Sequence, residues 1–495
     1  MNTRKIFCIA LLFFAMQLGN ITYAIEDHDH SELFRPIVVQ NGMELSVTDC
    51  VAAAFKNSPK IRRQKYNLDI AKSQVGIARS GYFPVISAGV GYLHQNNSNS
   101  AYELHYRELP NVGVAVNQLV FDFGKTTANI KMEEFYKIGA EYEFMDSLCH
   151  TLFDVKRKYY ALLRAKALLN VAQNNVEINK KFLKLAQSKY QPDIETAKLY
   201  LEDAQVMLLE AQNNYNNARI DLNNAMYLDS QPDYTIKDTH TFSYSENFAY
   251  NTLQKEAITF EPEIFSFPLD KAVDIAYENS PDLQVLINTK KAMEESLKYV
   301  KRKYLPDLRA NAGYGFLNTN LESSNNRLNI GVNLTSDVNL MELKHSIKGA
   351  SAQLNRADNE IELFKKDLYF EVKRALNNVE KAQSQIPITK SSVTQALKTL
   401  QVIEKSYKTD AVNYSSLQDA RKDYILALTQ YIDTLYNYNY SLIQLENAMH
   451  YHIVDIHHKS THAVHYHSEE LIKHLNEALG CDEWEVKTTN KKKKH

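Results

Sequence analysis

Turn-making residues are scarce in this sequence: 495 residues hold 14 glycines and 11 prolines. A succession of compact βα units would need more of both, so the scarcity favours long uninterrupted helices. Cysteine is rarer still. Cys8 lies in an apolar N-terminal segment, and Cys50, Cys149 and Cys481 form an odd set without metal-type spacing, which excludes a disulfide framework. Cys8 also lacks the small residues that precede a lipid-modified cysteine, so no lipid anchor is expected. A formal charge of −2 with 23% charged residues leaves no global field for nucleic acid, and the one tight basic run, Lys491 to Lys494, is terminal. Beyond the N-terminal segment, no stretch reaches the ~18 consecutive apolar residues of a membrane helix.

Catalytic signatures are missing as well. The stretch "QLVFDFGKTT" from Gln118 to Thr127 overlaps two familiar fragments, the "GKT" of a phosphate loop and the "DFG" of a kinase. A phosphate loop needs glycine five residues before its Gly-Lys-Thr, where Leu119 stands, and no glycine-rich loop or "HRD" accompanies the "DFG". With no nucleophile motif and no "HExxH" either, neither an enzyme nor a cofactor is expected.

What is present begins with a secretory signal over residues 1–24: Arg4 and Lys5, an apolar run from Ile6 to Met16, and a small-residue site ending at Ala24. After export, any membrane crossing must be made by strands.

The chain then repeats itself. "AAFKNSP" ending at Pro59 matches "IAYENSP" ending at Pro281, an offset of 281 − 59 = 222 that also carries Tyr82 and Pro84 onto Tyr304 and Pro306. "LNNAM" and "LENAM" close the two units at Met226 and Met449. The expected organisation is an N-terminal segment (25–44), repeat one (45–228), a linker (229–266), repeat two (267–450) and a C-terminal tail (451–495). Each unit reads as a helix broken at Asn-Ser-Pro, two strands, a long helix and a returning helix. Proline disfavours helical geometry in the residue before it, so Ser58 and Ser280 are predicted boundaries.

The strand runs alternate strictly. Ile86, Ala88, Val90 and Tyr92 oppose Ser87, Gly89 and Gly91, and Leu328, Ile330, Val332 and Leu334 oppose Asn329, Gly331, Asn333 and Thr335. Alternation alone fits a tilted membrane strand of about 9 to 11 residues or a sheet on a soluble core. The helices weigh on that choice. One glycine and no proline interrupt Thr126 to Lys189, a helix of roughly 95 Å, and Leu148, Leu152, Val155, Tyr159 and Leu162 recur at coiled-coil spacing. Four strands cannot close a membrane barrel, so closure needs other subunits, and three copies would supply twelve strands and room for a lumen. Pro387 should kink the second long helix or mark a break in it. From the Asp-Ala pairs to the closing "NAM", the second returning helix counts 448 − 420 = 28 residues against 225 − 204 = 21, one heptad longer.

The duplicated order of Asn-Ser-Pro break, Tyr-x-Pro strand start and "QLVFDFGK" strand exit resembles the TolC-like outer-membrane efflux protein family from about Leu45 to His450. The resemblance implies a mainly α fold with a small membrane β-barrel: a homotrimer whose twelve-stranded barrel sits in outer-membrane lipid and continues as an α-helical barrel through the periplasm. It implies an exit duct for a tripartite pump or a type I secretion system, partnered by a periplasmic adaptor and an inner-membrane transporter. Tyr407 matches the family's tyrosine of the periplasmic tip lock, and Asp419 an acid of its constriction. Ser416 and Val412 stand where a second acid and a lock arginine would be. In the first repeat Asp203 and Glu202 are the corresponding candidates, beside a turn that carries Pro192. A non-conducting trimeric coiled-coil envelope protein is the alternative reading.

The tail changes composition. His458, His462, His465 and His467 could bind a transition metal, and the other reading is a solvated tail, since no cysteine or carboxylate completes a tetrahedral set. "SEELIKHLNEALG" from Ser468 to Gly480 reads as an amphipathic helix with a glycine stop.

Overall fold

A computed structural model describes residues 38–97, 105–189, 192–237, 267–320, 323–409 and 411–450. The expected signal (1–24), the expected linker (229–266) beyond residue 237, Cys481, and the expected tail from 451 with His458, His462, His465 and His467 lie outside the described residues.

The first repeat runs β1 (Glu44–Leu45), α1 (Val47–Asn57), α2 (Pro59–Ser80), β2 (Val85–Asn97), β3 (His105–Phe121), α3 (Lys125–Lys189) and α4 (Pro192–Ala225), followed by the short β4 (Thr235–Ile236). The second runs α5 (Leu269–Asn279), α6 (Pro281–Arg302), β5 (Asp307–Asn320), β6 (Ser323–Thr335), α7 (Leu340–Lys408) and α8 (Tyr414–Met449).

The Asn-Ser-Pro breaks act as double caps. Ser58 and Ser280 are fully buried and extended, and each ends one helix while its Oγ accepts the backbone N–H of the third residue of the next, Ile61 or Leu283, at 3.3 Å. Proline at the first helical position costs no hydrogen bond there. The closing motifs are matched too: Met226 and Met449 are buried, and the following Tyr227 and His450 both turn left-handed, at φ 53° and 48°.

The long helices α3 and α7 have 65 and 69 residues, about 100 Å each at 1.5 Å per residue. Pro387 sits inside α7 and does not interrupt it. The returning helices α4 and α8 have 34 and 36 residues, so the expected difference of a heptad is not found. The Asp203-Ala204 pair lies deeper in its helix than Asp419-Ala420, and the two pairs are not equivalent marks.

Leu148, Leu152, Val155, Tyr159 and Leu162 are all buried, against α1, β1, β4 and the end of α4 rather than along a second long helix. The Tyr159 hydroxyl bonds the Leu45 carbonyl at 3.2 Å and also the Lys237 carbonyl, which fixes the parallel pair β1–β4 to α3 at the waist of the molecule. Val372, Val379, Ile432, Leu435 and Leu445 build the corresponding core of the second repeat.

Four strands form one antiparallel sheet in the order β2-β3-β5-β6, with 13, 17, 14 and 13 residues, longer than the expected 9 to 11. The register makes one face continuous. Ile86, Val116, Ala312 and Ile330 pair across all four strands, as do Ala88, Val114, Tyr314 and Leu328. The opposite face carries the rows Ser87, Ala115, Gly313, Asn329 and Val85, Asn117, Asn311, Gly331. Ile86, Val90, Tyr314, Leu328, Ile330, Val332 and Leu334 stand exposed on the apolar face. No described helix is long and apolar enough to cross a membrane.

The helices keep the same lateral order. On the strand side of the waist α2, α3, α6 and α7 pack side by side, and on the hairpin side α4, α3, α8 and α7 do.

Candidate functional site

Three features distinguish this scaffold: the elbows where strands become helices, the waist, and the tip where the hairpins turn.

"QLVFDFGKTT" is the first elbow. Phe123 and Gly124 take φ of 57° and 81°, and the Asp122 carboxylate accepts the backbone N–H groups of Gly124 (2.9 Å) and Thr126 (2.5 Å). Glycine suits position 124 for its left-handed φ; a Cβ there would also stand 2.8 Å from Nη1 of Arg302, the far end of a flexible side chain that donates to the Gly124 carbonyl at 2.9 Å. Lys125 pairs with Asp307 and donates to the Leu305 carbonyl at 2.9 Å, so this elbow grips the start of β5 in the other repeat. The second elbow has no left-handed residue, and Asn339 caps α7 by accepting from Met341 and Glu342, both at 3.2 Å.

At the waist, Lys156 of α3 donates to Glu446 of α8 at 2.8 Å, both nearly buried. A cavity of about 20 Å³ beside this pair is lined by Cys149, Leu152, Ile443, Asn447 and His450. His150 stands 3.4 Å from Asp146. Burial, then the charge of Asp282, pushes Asp146 up to about 6, with Glu143 adding to the rise and His150 opposing it. Burial pulls His450 down to about 4 against the opposing charge of Asp282. Burial also pushes the Cys149 thiol up to about 12, so this cysteine is an inert packing residue. Among the described residues, no three His, Cys, Asp or Glu side chains are grouped to hold a metal ion.

At the tip, one aromatic cluster joins both hairpins. Tyr414, 1% exposed at the start of α8, lies 6.0 Å from Tyr407 of α7, 6.3 Å from Tyr200 of α4 and 6.4 Å from Phe182 of α3, ring centre to ring centre. One heptad further on, the buried Arg421 lays its guanidinium 3.9 Å over the Phe182 ring and 3.9 Å from Glu404. Tyr407 therefore packs in this aromatic cluster, and the buried cation of the tip is Arg421, which lies over Phe182. Sequence reasoning passed over Arg421, Tyr414 and Phe182. The seven-residue spacing of Tyr414 and Arg421 sets them on one face of α8, but nothing near either residue in the sequence points to Phe182.

Asp419 is exposed on the second turn of α8, and it is not the helix cap. Asn413 fills that role, accepting from the Ser416 backbone at 3.0 Å and the Ser416 hydroxyl at 2.7 Å. Asp203 and Glu202 are exposed as well, but elsewhere. Asp419 stands 419 − 414 = 5 residues into α8 and Asp203 203 − 192 = 11 into α4, about 9 Å further from its turn. At the offset 449 − 226 = 223 that joins the two helix ends, Asp419 corresponds to Thr196 and Asp203 to Leu426.

Comparison with solved structures finds the same fold at low identity. The Campylobacter jejuni CmeC outer membrane channel is 16% identical, with 81% of this chain and 85% of that chain covered at a TM-score of 0.66. The outer membrane protein VceC from Vibrio cholerae is 14% identical (81% and 95% covered, TM-score 0.65), and the Neisseria gonorrhoeae MtrE outer membrane channel in its open state is 14% identical (84% and 93%, TM-score 0.65). A comparison with curated proteins returned no match. The family model for outer membrane efflux proteins matches residues 51–226 and 272–449, one stretch per repeat. The chain therefore belongs to the outer membrane efflux protein family.

Proposed function

We propose that this chain is the passive exit duct of a tripartite efflux pump or type I secretion system. It assembles as a homotrimer, with a twelve-stranded barrel in the outer membrane and a helical tube in the periplasm. A periplasmic adaptor and an inner-membrane transporter deliver the cargo and supply the energy.

One observation carries the reading: the molecule is open at the same two sides at every level. In the sheet the free strands are β2 and β6. Among the helices, exposed apolar side chains mark the two outer elements, Ile70 and Ile77 on α2 and Leu199, Val206 and Leu209 on α4 at one side, Leu363, Phe370, Ile388 and Val402 on α7 at the other. A free edge in lipid would leave backbone groups unpaired at several kcal/mol each, so the edges must meet, and unlike edges meeting head to tail close a ring. The apolar sheet face suits lipid outside, and the face of small and polar residues suits a wet lumen. The alternative, a pore-less adhesive coiled coil, gives no role to either face.

At the periplasmic end, Tyr407, Tyr414 and Arg421 hold the hairpins together, and three copies of Asp419 around the axis give the mouth a negative potential that favours cations. Native mass measurement with planar-bilayer recording tests the reading. A trimeric mass with cation-selective conductance is expected, and a trimer that does not conduct would overturn it.

A further inference from the structure

The face of the sheet opposite the apolar one is nearly free of charge. Among its described side chains, which include Ser87, Asn117, Asn311, Asn329 and Asn333, only Asp307 and Arg309 of β5 are charged. Side chains alternate along a strand, so Arg309 shares the face of Asn311 and Gly313. The first repeat has no counterpart. At the offset of 222, Ser87 corresponds to Arg309 and Val85 to Asp307, the third and first residues of β2 and β5.

Asp307 does not neutralise this arginine. It pairs with Lys125 of the first elbow and, at 3.4 Å, with Arg309, so one carboxylate serves two cations. The elbow's other acid, Asp122, is folded onto the N–H groups of Gly124 and Thr126, and Arg302 lies at the Gly124 carbonyl. These groups sum to three cations and two acids, 3 − 2 = +1 per chain. The Lys125 side chain is 14% exposed and that of Arg309 47%, so the surplus charge is presented by Arg309. The ladder is irregular beside it. Strand β3 inserts Val120 between Leu119, which pairs with Arg309, and Phe121, which pairs with Leu308, and bulges of this kind re-aim neighbouring side chains.

We infer that Arg309 determines charge selectivity at the foot of the barrel: its three copies form a ring that attracts anionic cargo, bearing carboxylate or phosphate groups, as it leaves the helical tube. The inference rests on the duct reading, which turns this face inward. Twelve strands about 4.8 Å apart and tilted about 40° enclose a radius of about 12 Å. An arginine reaching inward from that wall comes within about a Debye length, ~8 Å, of the axis, so the potentials of three copies overlap there. Asparagine, serine and glycine around the ring supply no opposing charge.

The test is Arg309→Gln in the full-length protein, in planar bilayers, with inorganic triphosphate added to each side in turn. From the side nearer the barrel, triphosphate is expected to block the wild type, and the glutamine variant to need about tenfold more for half-block. Arg309→Lys, which keeps the charge, is expected to behave as the wild type. Ser87→Arg, which adds a cation at the matching strand position, is expected to strengthen the block. No change in the glutamine variant overturns the ring. Equal loss in the glutamine and lysine variants overturns it too, since Arg309 is then a structural partner of Asp307. If Arg309→Gln does not form a trimer, Ser87→Arg decides, and unchanged block in that variant overturns the ring. A wild-type trimer that never conducts overturns the duct instead. Calorimetry of triphosphate binding to the solubilised trimer then decides on the ring, which equal affinities of wild type and glutamine variant overturn.

Discussion

In the first repeat, β3 reaches α3 through Phe123 and Gly124, both left-handed, with an aspartate folded back onto two N–H groups. In the second, β6 reaches α7 without a left-handed residue, through an extended Asn339 that caps the helix. The two repeats nevertheless share their buried joints: Ser58 with Ser280, and Met226 with Met449. These two joints, each buried, are kept in both copies. At the elbows, along the long helices and at the tip, where positions meet the other repeat or solvent, the copies diverged. A trimer of such chains would have six helical hairpins but only threefold equivalence.

The sharpest way to break this comparison is at a joint that spans both copies. Removing Glu446 leaves Lys156 buried without its counter-charge, so Glu446→Ala should cost about 3–5 kcal/mol, while Lys156→Met with Glu446→Leu should recover most of it. Denaturant unfolding of the detergent-purified protein measures both. A smaller effect is expected at the elbows. Gly124→Ala forces a Cβ into left-handed backbone and towards Arg302, at about 2 kcal/mol, whereas Asn339→Ala loses only a cap, at about 1 kcal/mol. Equal costs in the same unfolding assay would show that the elbows are energetically alike despite their geometry.

The waist offers a subtler contrast, in pH. Asp146 titrates near 6 in the folded protein against 3.8 ordinarily, so between those values the folded state holds a proton that the unfolded state has lost, and its contribution to stability falls as pH rises. His450 titrates near 4 against 6.5, so the unfolded state binds the extra proton and stability rises with pH over that window. The two slopes oppose, and the wild type should be nearly flat between about pH 4 and 6. Asp146→Asn should expose a rising slope and His450→Gln a falling one, in melting temperatures taken across that range.

How much of this was legible in the sequence depended on the range of the interaction. The Asn-Ser-Pro breaks, the alternating strands and the waist seam from Leu148 to Leu162 were readable because proline geometry, pleat and heptad are properties of a few adjacent residues. The seam's partners were not, since β1 and β4 become strands only by pairing across 235 − 44 = 191 residues. Arg421 over Phe182 bridges 421 − 182 = 239 residues and leaves no local mark. Counting from the Asp-Ala pairs misjudged the returning helices because Asp203 and Asp419 look alike in sequence while standing on different turns.

That last pair yields the smallest and most discriminating prediction. Both aspartates are exposed, both precede alanine, and in sequence either could line a negative mouth. Potential in a narrow pore falls off over about a Debye length, ~8 Å at physiological salt, so a charge about 9 Å further from the turn contributes far less at the constriction. Asp419→Asn should therefore lower cation selectivity and relieve divalent-cation block in single-channel recordings, and Asp203→Asn should change either by well under half as much. Equal effects would place the constriction further up the tube, at the level of Asp203 and Leu426, and would make the tip cluster a joint between hairpins rather than the narrowest part of the duct.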